Sequence, residues 1–277
     1  MKTLTLGFSP CPNDTFMFEA IVSGKVSADN LVFNPVLMDV EQLNVAALKN
    51  EPDITKISFS NYPAVSENYR ILNAGSAMGK GCGPLLISKK DFTISQVAKL
   101  RIAIPGRLTT ANLLLSIFFP VASNRVEMVF SDIEQAVLEE KADAGLIIHE
   151  SRFTYAARGL KKIADMGELW EKATGSPIPL GCIIIRRSLG EDICKKVDDL
   201  LRESIRTAME NPEGAMSYVK MHAREMEPGV ISQHIALYVN KFSLDLGTEG
   251  RKAIELLFAK GKDSGLLSPV KTSGLFC

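Results

Sequence analysis

Short β-rich runs that stop at a helix-start signal recur along this chain, and that alternation limits the fold more than any other feature. Thr3–Phe8 leads to Asn13 and Asp14, either of which can cap a helix reaching about Ser23 before Gly24 closes it. Leu31–Met38 leads to Asp39, which with Gln42 has the spacing of a capping box for a helix through about Lys49. Asp53–Ile57 leads to Ser58-Phe59-Ser60-Asn61, and Arg101–Ile104 leads through Pro105-Gly106 to a cap at Thr109 or Thr110. Val126–Phe130 leads to Ser131, which with Glu134 is spaced as a second capping box. Strand and helix alternating at this interval predict a mainly parallel sheet with helices on its faces.

The series comes in two sets, which predicts two α/β lobes. Gly83–Lys89 and Gly181–Arg187 are Gly-led apolar runs ending in basic residues and read as paired strands near the crossings between lobes. From about Gly190 the chain turns helical. Ile193, Val197, Leu200, Leu201, Ser204 and Ala208 fall on one helical face, and further helices are expected over 213–222, 229–239 and 248–260. A helical tail returning to the start gives one lobe of residues 1–88 with 189–277 and a second of residues 89–188.

With 277 residues the chain can build two modest cores, and 46% hydrophobic with 23% charged residues is an ordinary globular balance. The formal net charge is zero and no run of Lys or Arg stands out, so a nucleic-acid partner is not expected. No apolar stretch is long enough to span a bilayer or to serve as a signal-peptide core, so no membrane partner and a cytoplasmic location are expected. Cysteines 11, 82, 182, 194 and 277 are scattered without CxxC spacing, which favours neither a disulfide scaffold nor a zinc site.

Chemistry is most legible in Gly145–Tyr155, where an apolar run ends abruptly in His149 and Glu150, Ser151 and Arg152 follow. In open α/β sheets ligands collect at the carboxyl ends of strands. There His149 is either a general base, with its neighbours orienting the ring or holding an anion, or a histidine that merely ends a strand. A His-Glu-x-x-His metal motif is ruled out because Phe153 stands at the fourth place. His222 and His234 lie in helical patterns and read as structural. Ser9-Pro10-Cys11-Pro12-Asn13-Asp14 opens a helix whose free N–H groups suit an anion, so Ser9, Asn13 and Asp14 read as a binding wall, with Cys11 either wall or nucleophile. Lys56-Ile57-Ser58 and Thr109-Thr110-Ala111 occupy the same strand-to-helix position. They converge on His149 if the lobes face each other.

Ser9–Phe16 (SPCPNDTF), Pro105-Gly106-Arg107 with Thr109-Thr110, Gly145–Tyr155 (GLIIHESRFTY) and Tyr238–Gly247 (YVNKFSLDLG) resemble the 1,4-dihydroxy-6-naphthoate synthases of the futalosine route to menaquinone. The resemblance implies a two-lobed fold like type II periplasmic binding proteins, with a small carboxylate substrate in a central cleft. It also implies conversion of cyclic dehypoxanthine futalosine to 1,4-dihydroxy-6-naphthoate, with His149 as base and the 56–58 and 109–111 segments contacting substrate. No metal or redox cofactor is then needed, and a histidine of pKa near 7 suits the proton transfer. Two other readings share the fold: a solute-binding protein or ligand sensor, and the dehydratase acting earlier in the same route.

Overall fold

The computed structural model describes residues 1–223 and 227–277. Eleven strands form two sheets among the described residues. The first sheet contains β1 (Lys2–Phe8), β2 (Leu31–Leu37), β3 (Ile54–Ser58), β4 (Tyr69–Ile71), β5 (Ala77–Gly79) and β11 (Ile178–Arg186). The second contains β6 (Leu85–Ser88), β7 (Ile102–Ile104), β8 (Arg125–Glu127), β9 (Ala144–Ile147) and β10 (Lys161–Asp165). Their orders are β2-β1-β3-β11-β4, with β5 also on β11, and β10-β6-β9-β7-β8.

The two βα series are each parallel, as the alternation requires: β1 runs with β2 and β3, and β7 runs with β8 and β9. Each sheet is nevertheless mixed. β11 is antiparallel to β3, β4 and β5, and β6 is antiparallel to β9 and β10. These are the strands that carry the chain between lobes, and they enter from the far end. The expected pairing of the 83–89 and 181–187 runs is therefore corrected, because each joins a different sheet. The boundaries at 88 and 188 likewise divide each crossing strand from its sheet. β6 lies in the second sheet and β11 in the first.

Helices α1 (Pro12–Val22), α2 (Val40–Leu48), α3 (Tyr62–Val65), α4 (Thr110–Phe118), α5 (Ile133–Leu138), α6 (Ser151–Thr154) and α7 (Met166–Thr174) fill the connections. The tail is α8 (Glu191–Glu210), α9 (Pro212–His222), α10 (Pro228–Tyr238), α11 (Lys241–Leu244) and α12 (Gly247–Asp263). Asp39 caps α2 in a full capping box and Thr109 caps α4, both through local spacing. At α1 the cap is Cys11 rather than Asn13 or Asp14, because Pro12 at the first helical position already has the right φ and no N–H to satisfy. The Ser131–Glu134 box does not form. A 3-10 turn over Phe130–Asp132 precedes α5, and Glu134 instead accepts from Ser151 Oγ at 3.2 Å and Arg158 Nη1 at 3.0 Å.

One face of the first sheet packs Leu4, Leu6, Phe8, Ile54 and Ile183 against Met17 and Phe18 of α1 and Val197, Leu201 and Ile205 of α8. A second core runs from Ile57, Tyr62 and Tyr69 through Cys82 to Leu86, Ile102 and Trp170, so apolar packing is continuous across the crossings. Cys194 on α8 and Cys277 are disulfide-bonded. The scattered cysteines favoured no disulfide scaffold, and a separation of 83 residues leaves no local spacing to notice. No described helix is long and apolar enough to cross a membrane.

The approach to β6 is unusually tight. A Cβ added at Gly83 would lie 2.1 Å from the backbone nitrogen of Gly167 at the start of α7. Backbone cannot step aside as a side chain can, so Gly83→Ala is expected to cost about 1–3 kcal/mol, as overpacking does. A chemical-denaturation midpoint unchanged from wild type would contradict that.

Candidate active site

The cleft between the sheets holds about 630 Å³ of empty space, counted out through its open mouth. Ser9, Asn13, Asp14, Lys56, Ser58, Thr109, Thr110, Ala111 and His149 all line it. Ile57 does not. Successive strand residues point to opposite faces, so Lys56 and Ser58 reach the cleft while Ile57 is sealed in the core beside Tyr62 and Cys182.

The first-lobe wall is a buried polar network. Lys56 Nζ meets Asp14 Oδ1 at 3.0 Å, with the two side chains only 6% and 2% exposed. Asp14 also accepts from Ser9 Oγ at 2.7 Å and from Asn13 Nδ2 at 2.8 Å. Lys56 is thus committed to Asp14 and acts as a brace for the 9–14 loop. Asn13 Oδ1 is buried without a hydrogen-bond partner among the described residues, on a side chain that lines the cleft. Ser58 is fixed by Asn44 of α2, whose amide donates to Ser58 Oγ at 3.2 Å and whose Oδ1 accepts from Ser58 N at 2.8 Å.

The second-lobe wall begins at α4. Thr109 Oγ1 accepts from Asn112 N at 3.2 Å and donates to Gly106 O at 2.8 Å, which fixes the first turn. The first N–H groups of a helix lack intrahelical partners, so this turn presents donors to an anion. Thr110 Oγ1 donates to Leu180 O at 2.7 Å. Across the cleft, Leu108 N donates to Glu41 Oε1 of α2 at 3.0 Å, and burial raises the pKa of that carboxyl.

His149 follows β9 with φ of +59°, in the left-handed region. For a non-glycine residue that conformation costs on the order of 1–2 kcal/mol, and such strain concentrates at functional sites. Phe130 packs edge-on against the ring at 4.9 Å between centroids, and Nε2 is buried without a hydrogen-bond partner among the described residues. Burial pushes the His149 pKa down to about 4, with the Asp14 charge opposing the shift and the Lys56 charge adding to it. The expected value near 7 is therefore corrected downward, a shift that favours the neutral imidazole at physiological pH.

Its sequence neighbours are arranged otherwise than expected. Arg152 is held by Asp165 at 2.7 Å and by Gly83 O, so it is not placed to hold an anion. Ser151 is taken up by Glu134. Glu150 lies 3.7 Å from Nδ1 of His234, a fully buried residue of α10 that the sequence reading assigned to structure alone. Cys11, His149 and Glu150 bring one donor atom each within 4.8 Å of one another. Those are metal-ligating types, though ligands on a tetrahedral zinc stand closer, at about 3.5 Å apart. Asn44, Glu41, His234 and Tyr238, which also lines the cleft, escaped sequence reasoning because only tertiary packing brings them here.

The sequence pattern of a menaquinone biosynthesis family matches residues 4–263. A Thermus thermophilus protein named 1,4-dihydroxy-6-naphthoate synthase is 44% identical over 273 residues, covering 97% of each chain. A Streptomyces coelicolor protein of the same name is 42% identical over 270 residues, covering 96% of this chain and 95% of the other. The alkanesulfonate-binding protein of Xanthomonas axonopodis pv. citri shares only 13% identity but superposes with a TM-score of 0.74, covering 99% of this chain and 98% of the other. The fold is therefore the two-lobed α/β architecture of periplasmic binding proteins.

Proposed function

Because the chain belongs to the menaquinone biosynthesis family, we propose that it converts cyclic dehypoxanthine futalosine to 1,4-dihydroxy-6-naphthoate with release of the sugar-derived fragment. The observation that carries this reading is His149: a buried imidazole whose Nε2 has no hydrogen-bond partner among the described residues, on the wall of the cleft. Nε2 takes a proton next to an activating group of the substrate, the bond to the sugar fragment breaks, and the gain of aromaticity drives the step. The first turn of α4 and the Ser9–Asp14 loop hold the substrate carboxylate or the charge that develops. Closure of the lobes, already bridged by Glu41 and Leu108, excludes water during the transfer. The reaction draws on side chains alone, and a cytoplasmic biosynthetic role accords with it.

The test is incubation of the purified protein with the cyclic futalosine derivative and detection of the naphthoate by chromatography. Tight binding without product would favour a solute-binding protein, and turnover of a chorismate-derived substrate instead would favour the dehydratase. The pH profile follows from the direction of the His149 shift. A base with lowered pKa keeps its lone pair as pH falls, so kcat/KM should stay level down to about pH 5 and then drop tenfold per unit below about 4. An inflection at 6.5 to 7 would show that burial does not set the state of the base.

A further inference from the structure

The reaction above leaves His222 and His234 without a role, and of the two His234 has the costlier setting. The ring is completely buried, and neither Nδ1 nor Nε2 has a hydrogen-bond partner among the described residues. Tyr238 of the same helix packs edge-on at 4.8 Å, Phe153 lies at 6.5 Å, and the His149 ring lies at 6.0 Å, all between centroids. A phenylalanine would fill the same space without burying two polar atoms, so packing does not explain the imidazole.

What singles it out is its partner. α10 packs on α1 and β5 of the first lobe, whereas Glu150 and His149 stand at the end of β9 in the second. The 3.7 Å from His234 Nδ1 to Glu150 Oε2 is about 0.8 Å longer than an ordinary N–H···O bond, and the two groups belong to different lobes. A Glu150 oxygen also lies within 4.8 Å of a His149 ring nitrogen. Glu150 therefore lies near both imidazoles, one from each lobe.

We propose that His234 is a positioning residue for the reaction at His149: on closure it donates to Glu150 and holds that carboxylate beside the base, where it meets the positive charge His149 acquires with the substrate proton. The proton moves from substrate carbon to His149; Glu150 stays ionised and His234 stays neutral, with no change of redox state. The arrangement couples closure to basicity. Burial and the Lys56 charge weaken His149 as a base, and closure strengthens the opposing counter-charge by fixing Glu150 beside the ring. Among the described residues, the titratable groups against His234 are His149 and Glu150 from the other lobe and Tyr238 from its own helix.

This inference rests on the proposed reaction, and a double-mutant cycle tests it. His234→Phe keeps the ring volume and should lower kcat about tenfold or more with KM little changed. His234→Asn, which keeps a donor near the Nδ1 position, should recover much of that loss. Glu150→Gln should lower kcat at least as far, and the Glu150→Gln/His234→Phe double variant should be no slower than Glu150→Gln alone, because His234 acts through Glu150. Wild-type kcat in His234→Phe, or losses that multiply in the double variant, would overturn it. If His234→Phe fails to fold, the same cycle is run with His234→Leu and His234→Asn. A readout independent of turnover is the NMR titration of the His149 imidazole in the full-length protein. Glu150→Gln should lower its pKa and His234→Phe should lower it by a smaller step. If the wild type yields no naphthoate, the proposed reaction fails and this titration still judges the pair: an unmoved His149 in both variants overturns it.

Discussion

His149→Asn is expected to lower kcat by about 10²–10⁴-fold while the protein still folds and binds substrate. Asn is the replacement to use because the backbone at 149 has φ of +59°, and Asn tolerates the left-handed region better than most residues. Alanine would mix chemical loss with backbone strain. Asn also keeps a polar group of similar reach but cannot accept a proton at neutral pH. The measurements are steady-state turnover, calorimetric binding of substrate, and the melting curve of the variant. Turnover at the wild-type rate would remove His149 as the base, whereas lost turnover with a collapsed melting curve would point to a structural role.

The second large effect concerns the Lys56–Asp14 pair. Both side chains are almost wholly buried, so removing one leaves the other as an uncompensated charge in the interior. Lys56→Met is expected to destabilise the protein by about 3–5 kcal/mol. It should also loosen the 9–14 loop, since Asp14 is the acceptor for both Ser9 and Asn13. Lys56→Met combined with Asp14→Asn should regain much of the stability, because no lone charge then remains, yet it should still bind substrate poorly. Urea denaturation separates the cases. A loss below about 1 kcal/mol in the single variant would mean that water reaches the pair and screens it.

What could be read from the sequence was local. Asp39 with Gln42, and Thr109 three residues before Asn112, satisfy backbone donors within one turn, so spacing alone reveals them. The convergence of four βα turns on one cleft followed from parallel topology, and the lining residues fell where that topology sends them. Ile57 was an avoidable inclusion, since period-two alternation already turns it away from Lys56 and Ser58. The rest depends on packing between distant segments. Asn44 buttresses Ser58 from a neighbouring helix, and Glu41 reaches the opposite lobe. His234 sits in a helix where a buried ring looks like any core position until β9 is placed beside it. The Cys194–Cys277 bond belongs to the same class.

The place of β11 has a consequence for how the chain assembles as it is made. Ile178–Arg186 lies between β3 and β4 at the middle of the first sheet, and α8 covers the face of that sheet carrying Leu4, Leu6 and Phe8. The strands that leave the ribosome first therefore lack their central neighbour until more than a hundred further residues have emerged. The second sheet has no such delay, for all its strands come from one unbroken stretch, Leu85–Asp165. At about 5–20 residues per second, that stretch can complete its own pairings while the amino-terminal strands still wait. The later-formed half closes first. The lobe that begins the chain is finished by its end, and the cleft exists only once synthesis is nearly done.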